Sequence, residues 1–315
     1  NIFISGSYRL GVHTEGTDID IICVFPEQVT PEDFFGFFME ELKERPDVSH
    51  VVGIPEAVVP MLEVIMDGID IDLLFASLPR SKVNIKEVDV LSDDILRGVS
   101  DATAKCLGGP RVTNMLHKLV PNFQEFSTCL RCLRLWAKKR LIYSNKAGYM
   151  GGVNYAILAA FVTQLYPNAC AATLMENLFT VMLTWIWPTP IMLCKRYEPG
   201  LYMEQWDPAI NYRNKRDIMP IITPAYPIMN SCYSTNQSSK KVMMEEFRRA
   251  KEIFGKSKEA IIMATAKEAK HIDSLVGELD ALFEPFDFFP SFGDFLVIEI
   301  TANDELQLSQ WEGYV

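Results

Sequence analysis

Residues 6–20 read Gly-Ser-Tyr-Arg-Leu-Gly-Val-His-Thr-Glu-Gly-Thr-Asp-Ile-Asp, and the rest of the chain is understood from them. Gly6 and Ser7 lie in a loop of small residues, which can offer backbone N–H groups and a hydroxyl to a phosphate. Asp18 and Asp20 then open an apolar run, Ile19 to Phe25, that reads as a buried strand. Side chains two apart on a strand share a face, so the two carboxylates point the same way. Like charges held side by side are costly without a cation between them, and hard divalent ions take such oxygen ligands.

Residues 67–76, Asp-Gly-Ile-Asp-Ile-Asp-Leu-Leu-Phe-Ala, alternate acid and apolar and then become fully apolar. That pattern predicts a strand with one polar edge near its start, entered through a turn at Asp67-Gly68. Asp70 and Asp72 share one face, and either could join Asp18 and Asp20 if the two strands are neighbours. Three carboxylates holding two ions is the arrangement that a two-metal phosphoryl displacement requires. Each motif alone is weak, since an isolated Asp-x-Asp is commonly a solvated strand end. Their order beside two apolar strands points to nucleotidyl transfer.

With these motifs the chain resembles the eukaryotic poly(A) polymerases, within the polymerase beta-like nucleotidyltransferases. The resemblance runs through GSYRLGV (6–12), DGIDIDLLFA (67–76), LWAK (135–138), YSN (143–145), GGV (151–153), QLYPNA (164–169) and MPIITPAYP (219–227), in that order. It covers residues 1 to about 250 well and the remainder weakly.

The resemblance implies an α+β multidomain fold. A mixed-sheet nucleotidyltransferase catalytic domain would span 1–95, a helical middle domain 96–228 and an incomplete domain like an RNA recognition motif 229–315. It implies two Mg²⁺ or Mn²⁺ ions held by Asp18, Asp20 and Asp72, which selects Asp72 over Asp70. ATP would be bound around Gly6, Ser7, Thr14, Arg134, Tyr143, Asn145, Gly152 and Val153. The reaction implied is template-independent addition of AMP to RNA 3′ ends. A monomeric catalytic unit, a nuclear location and cleavage-polyadenylation factors as partners follow from the same resemblance. Two positions depart from the family: Ser5 stands where it has Phe, and Arg134 where it has Lys. Arginine can grip phosphate bidentately but is not isosteric with lysine. The abrupt start inside a strand-like segment and the missing end of the third domain imply a fragment of a longer chain.

The 315 residues suffice for two or three domains, and 49% hydrophobic content supports sizeable cores. No stretch is long and apolar enough for a transmembrane helix, which argues against a membrane partner. Seven scattered cysteines lack a disulfide framework and suit a reducing compartment, and Cys129-x-x-Cys132 reads as a helix-face coincidence. The net charge of −11 is uneven. Residues 1–100 carry 7 Lys/Arg against 19 Asp/Glu, whereas 126–175 carry six basic residues and no acid. A local basic surface can serve phosphate on an acidic protein.

Along the chain, Thr30 predicts an N-cap for a helix over 31–44, with Pro31 at its first position and Asp33 at its third. Val58 to Met66 is a strand candidate. Phe123 to Leu141 predicts an amphipathic helix with Arg131, Arg134 and Lys138 on one face, and another helix starts near Val153. A third runs over Val242 to Phe254. Lys138, Lys139, Arg140, Arg248 and Arg249 are candidate RNA-backbone contacts, and Phe295 to Thr301 reads as a late strand.

Overall fold

The computed structural model describes residues 2–57, 59–84, 88–266, 279–303 and 308. Its first compact unit, Asn1–Glu284, holds a five-stranded mixed sheet and a set of helices. The strands are β1 (Ile2–Ile4), β2 (Ile19–Pro26), β3 (Val48–Ile54), β4 (Met61–Met66) and β5 (Ile69–Leu78), in the order β1-β2-β5-β4-β3. β2 and β5 run parallel, and every other pairing is antiparallel. Both central strands carry the apolar runs read in the sequence, as strands covered on both faces must.

The two faces bury different partners. Ile22, Val24, Ala76 and Leu78 pack with Ala104 and Leu107 of helix α4 (Asp101–Leu119). Cys23, Leu62, Val64, Leu73 and Phe75 pack with Phe34 and Leu42 on the other side. The helix expected over 31–44 forms as α2 (Pro31–Asp33), a π turn (Phe34–Phe38) and α3 (Met39–Lys43). Its predicted cap is present: Asp33 N–H donates to Thr30 Oγ1, and Thr30 N–H donates to Asp33 Oδ2 at 2.9 Å. The wide turn lets Phe34, Phe35 and Phe38 crowd one face, with Phe34 and Phe38 stacked at 5.3 Å. Asp67 (φ 51) and Gly68 (φ 76) form a two-residue hairpin turn between β4 and β5.

Beyond α4 lie α5 (Phe123–Lys139), α6 (Gly152–Leu165), α7 (Ala171–Thr184) and α8 (Gln237–Ala266). Trp136, fully buried, is their shared anchor: its ring meets Phe179 at 4.8 Å and Phe247 at 5.7 Å. Burying it turns the opposite side of α5 outward and so orients Arg131, Arg134 and Lys138. Trp185 and Trp187 pack against this same core.

The second unit, Pro285–Val315, is small. Its described part holds a four-residue helix, Phe288–Ser291, and an aromatic cluster of Phe288, Phe289, Phe292 and Phe295. The strand expected over 295–301 is not formed: Leu296, Val297 and Ile298 are exposed and irregular. A strand needs a ladder partner, and none of the described residues pairs with this segment.

Candidate active site

The parallel register places Asp20 directly beside Asp72. Residues opposite one another in a ladder share a face, so both carboxylates emerge on the α4 side of the sheet, at its open end. Asp18 lies just before β2 and is exposed, as is Asp70. Register also settles a position that the motif alone left open: Asp72, not Asp70, faces Asp20.

β4 adds an acid that the sequence did not reveal. Glu63 is the register partner of Asp72 on the side away from Asp20. Three carboxylates, Asp20, Asp72 and Glu63, therefore form one row across three strands. Asp18, His50, Glu63, Asp70 and Asp72 line an open cleft of about 500 Å³. Burial and the neighbouring charges of Asp18, Asp20, Glu63 and Asp70 push the Asp72 carboxyl up to about 7. Burial and Asp18 raise the Asp20 carboxyl too, while the charge of Arg134 works the other way. A single acid in an otherwise apolar strand was the only signal for Glu63, and nothing local fixes its partner.

The Gly-Ser loop closes over this row. Ser5 N–H donates to Asp20 O at 2.9 Å, and Gly6 begins the short helix α1 (Gly6–Arg9) with φ +59. A Cβ on Gly6 would sit 1.9 Å from Asp20 Oδ2. Glycine is therefore required twice, by the left-handed backbone and by the carboxylate. Ser7 is half-buried; Thr14 is exposed and its hydroxyl meets that of Thr17 at 3.0 Å. Ser5 itself is buried against α4, where a Cβ on Gly109 would meet Ser5 Oγ at 2.8 Å. The contact has room for a small residue.

Helix α5 holds the loop from the other side. Arg131 Nη1 donates to Gly11 O at 2.8 Å and Arg134 Nη1 donates to Val12 O at 2.7 Å. Buried Arg134 Nε has no hydrogen-bond partner, so the guanidinium keeps donor capacity beside Asp20. One turn further, Lys138 Nζ lies 5.4 Å from the Tyr143 ring centroid. Tyr143 stacks on buried Tyr155 at 5.8 Å. The loop from Tyr143 to Met150 folds onto the start of α6. A Cβ on Gly151 would reach Asn145 Nδ2 at 2.8 Å, and one on Gly152 would reach Tyr143 Oη at 2.8 Å. Tyr143, Asn145, Gly152 and Val153 thus gather in one place, and α5 links them to the carboxylate row.

The basic candidates separate. Lys138, Lys139 and Arg248 are exposed. Arg140 departs from the expected RNA contact: it is buried, with Nε and Nη2 each 2.8 Å from the Glu246 carboxylate and Nη1 donating to Glu284 O. Arg249 is half-buried and donates to Ala281 O at 2.5 Å and to Glu284. Both arginines tie the helices together.

The oxygen donors and their mutual repulsion fit hard divalent cations in chemistry and charge. Among the described residues no three His, Cys, Asp or Glu side chains already converge on one point. All seven cysteines are free, and no described helix is long and apolar enough to cross a membrane.

Comparison with known proteins identifies the scaffold. Residues 1–120 match the poly(A) polymerase nucleotidyltransferase domain, and 125–268 match the poly(A) polymerase central domain. Nuclear poly(A) polymerase 1 of Arabidopsis thaliana is 42% identical over the whole chain, which covers 42% of that protein. Nuclear poly(A) polymerase 4 of the same plant is 43% identical, with 40% of it covered. The chain spans about two fifths of the length of these curated relatives. Among solved structures, the Cid1 poly(U) polymerase with bound Mg 3′-dATP aligns at TM-score 0.58 and 13% identity, covering 91% of this chain and 86% of that one. A cytoplasmic RNA terminal U-transferase aligns at TM-score 0.56 and 13% identity, covering 90% and 86%. At that distance the likeness supports the mixed α+β nucleotidyltransferase fold alone.

Proposed function

The chain belongs to the poly(A) polymerase family, and on that premise we propose that it adds AMP from ATP to RNA 3′ ends without a template. The observation that carries this reading is the Asp20–Asp72 register pair facing the Gly6-Ser7 loop. Two divalent ions, Mg²⁺ or Mn²⁺, would activate the RNA 3′-hydroxyl and stabilise the departing pyrophosphate. Asp18 and Asp20 would hold both ions and Asp72 the one on the hydroxyl side. Ser7 and the loop N–H groups bind the triphosphate, and Arg134 reaches it from α5. Tyr143, Asn145, Gly152 and Val153 form the adenosine side of the cleft. The hydroxyl attacks the α-phosphorus, the new phosphodiester forms, and pyrophosphate takes the electrons of the broken bond.

The same reading gives the domains as 1–95 catalytic, 96–228 middle and 229–315 RNA-binding. The relatives' names support a nuclear location. RNA 3′ ends and ATP are the partners, with cleavage-polyadenylation factors around a monomeric catalytic unit.

A short oligo(A) primer, Mg²⁺ or Mn²⁺ and each nucleotide separately test this, beside an Asp72→Ala control. Growth with ATP alone, lost in D72A, is the expected result. Growth with UTP alone would keep the chemistry and overturn the substrate. RNA binding without growth would mark a scaffold.

A further inference from the structure

The chain is acidic overall, yet residues 195–217 hold a small excess of basic side chains, four of which are exposed without an ion pair among the described residues. The segment contains five basic and four acidic residues, so its composition is unremarkable. What distinguishes it is where the charges go. Glu198 accepts the N–H groups of Gly200, Leu201 and Tyr202 at 2.9–3.1 Å. Glu204 accepts from Asn211 Nδ2 at 2.8 Å, and Asp217 from Trp206 Nε1 at 2.7 Å. Asp207 pairs with Arg196. Every acid is thus engaged by donors of the segment itself.

Lys195, Arg213, Lys215 and Arg216 are exposed and make no ion pair among the described residues. Tyr212, beside Arg213 in the chain, is 66% exposed, with the Arg216 guanidinium 4.7 Å from its ring centroid. Unneutralised basic side chains around an accessible aromatic face are what a single-stranded nucleic acid recognises: the charges track the backbone and the ring takes a base.

We propose that the loop around Tyr212, with Arg213, Lys215 and Arg216, is a binding surface for single-stranded RNA outside the catalytic cleft. It rests on the reading of RNA as the acceptor and adds a place where the strand is held away from its reacting end. The surface is sequence-tolerant, because phosphate contacts carry no base information and stacking accepts any base.

The test uses the full-length protein and labelled oligo(A) RNA, with anisotropy read across a salt series. R213Q/K215Q/R216Q should weaken binding about tenfold at moderate salt and flatten the plot of log affinity against log salt by about two. Tyr212→Ala should weaken binding about fivefold with the slope unchanged, since stacking releases no counterions. Both variants should keep the wild-type melting temperature and KM for ATP. Unchanged affinity and slope in the triple variant would overturn the proposal. So would loss of affinity for an acidic peptide while RNA binding persists, which would make the surface a protein contact. If the wild type itself neither binds nor extends the oligonucleotide, the adenylyltransferase reading fails instead.

Discussion

Arg134 of α5 donates to the carbonyl of Val12 at 2.7 Å, and Val12 N–H in turn donates to Ser7 O at 3.0 Å. The Gly6–Val12 segment is therefore held by a helix more than a hundred residues away in sequence. Arg131 repeats the contact one turn earlier, at Gly11 O. Arg9 adds a tie to α4, where its guanidinium meets Asn114 Oδ1 at 2.9 Å. Two side-chain hydrogen bonds thus tie this segment to α5, and α5 also carries Lys138 toward Tyr143.

Arg131→Met should raise KM for ATP roughly fivefold, the worth of about 1 kcal/mol from one charged hydrogen bond at an exposed site, with kcat within twofold. Arg131→Lys should recover part of the loss. Steady-state kinetics on an oligo(A) primer, with a melting curve for each variant, separates this from a fold defect. An unchanged KM would mean that the loop needs no clamp at Gly11.

Gly6→Ala should be far more damaging than its size suggests. The φ of +59 and the 1.9 Å approach to Asp20 Oδ2 must both be relieved by moving the loop. The backbone alone costs about 1 kcal/mol. A displaced phosphate loop should lower kcat/KM at least a hundredfold. Kinetics close to wild type would show that the loop is not where ATP is gripped.

Asp72 makes the metal-free protein pH-sensitive. Its folded carboxyl, at about 7 against an ordinary 3.8, holds a proton that the unfolded chain has released. The folded state is therefore favoured at low pH by this group, and that advantage falls as pH rises from about 4 through 7. The shift sets a ceiling of about 4 kcal/mol, and solvent access reduces it to the order of 1–2 kcal/mol. In the absence of divalent ions, Asp72→Asn should be more stable than wild type at pH 7.5 and nearly equal at pH 4. Adding Mn²⁺ should stabilise the wild type and leave D72N almost unmoved. Urea titrations at both pH values, with and without Mn²⁺, read all of this; parallel behaviour of the two proteins would reject it.

Arg140→Met should destabilise by about 3–5 kcal/mol, because it leaves the Glu246 carboxylate buried without its partner. R140M/E246L should recover much of that loss. In the double variant, oligo(A) affinity should match wild type. A specific loss of RNA binding with stability restored would return Arg140 to the RNA surface.

The sequence by itself determined what is local. The two acid-led strands, the Asp67-Gly68 turn and the Thr30–Asp33 cap all follow from periodicity of two or from bonds within a few residues, whereas Gly6 and Ser7, read as loop, open the short helix α1. Those patterns were legible because backbone geometry constrains them without any distant partner. The family motifs extended that reading to Tyr143 and Gly152, which the structure brings together. The tertiary structure decided how the carboxylates selected by the family resemblance come to stand side by side. Register joined Asp20 to Asp72 and brought in Glu63 from β4. It also decided the fate of the arginines. Arg131, Arg134 and Arg140 belong to one helix and look alike in sequence, yet the first two meet loop carbonyls and the third a buried glutamate. Charge and spacing specify a helix face; only packing against other elements specifies what that face meets.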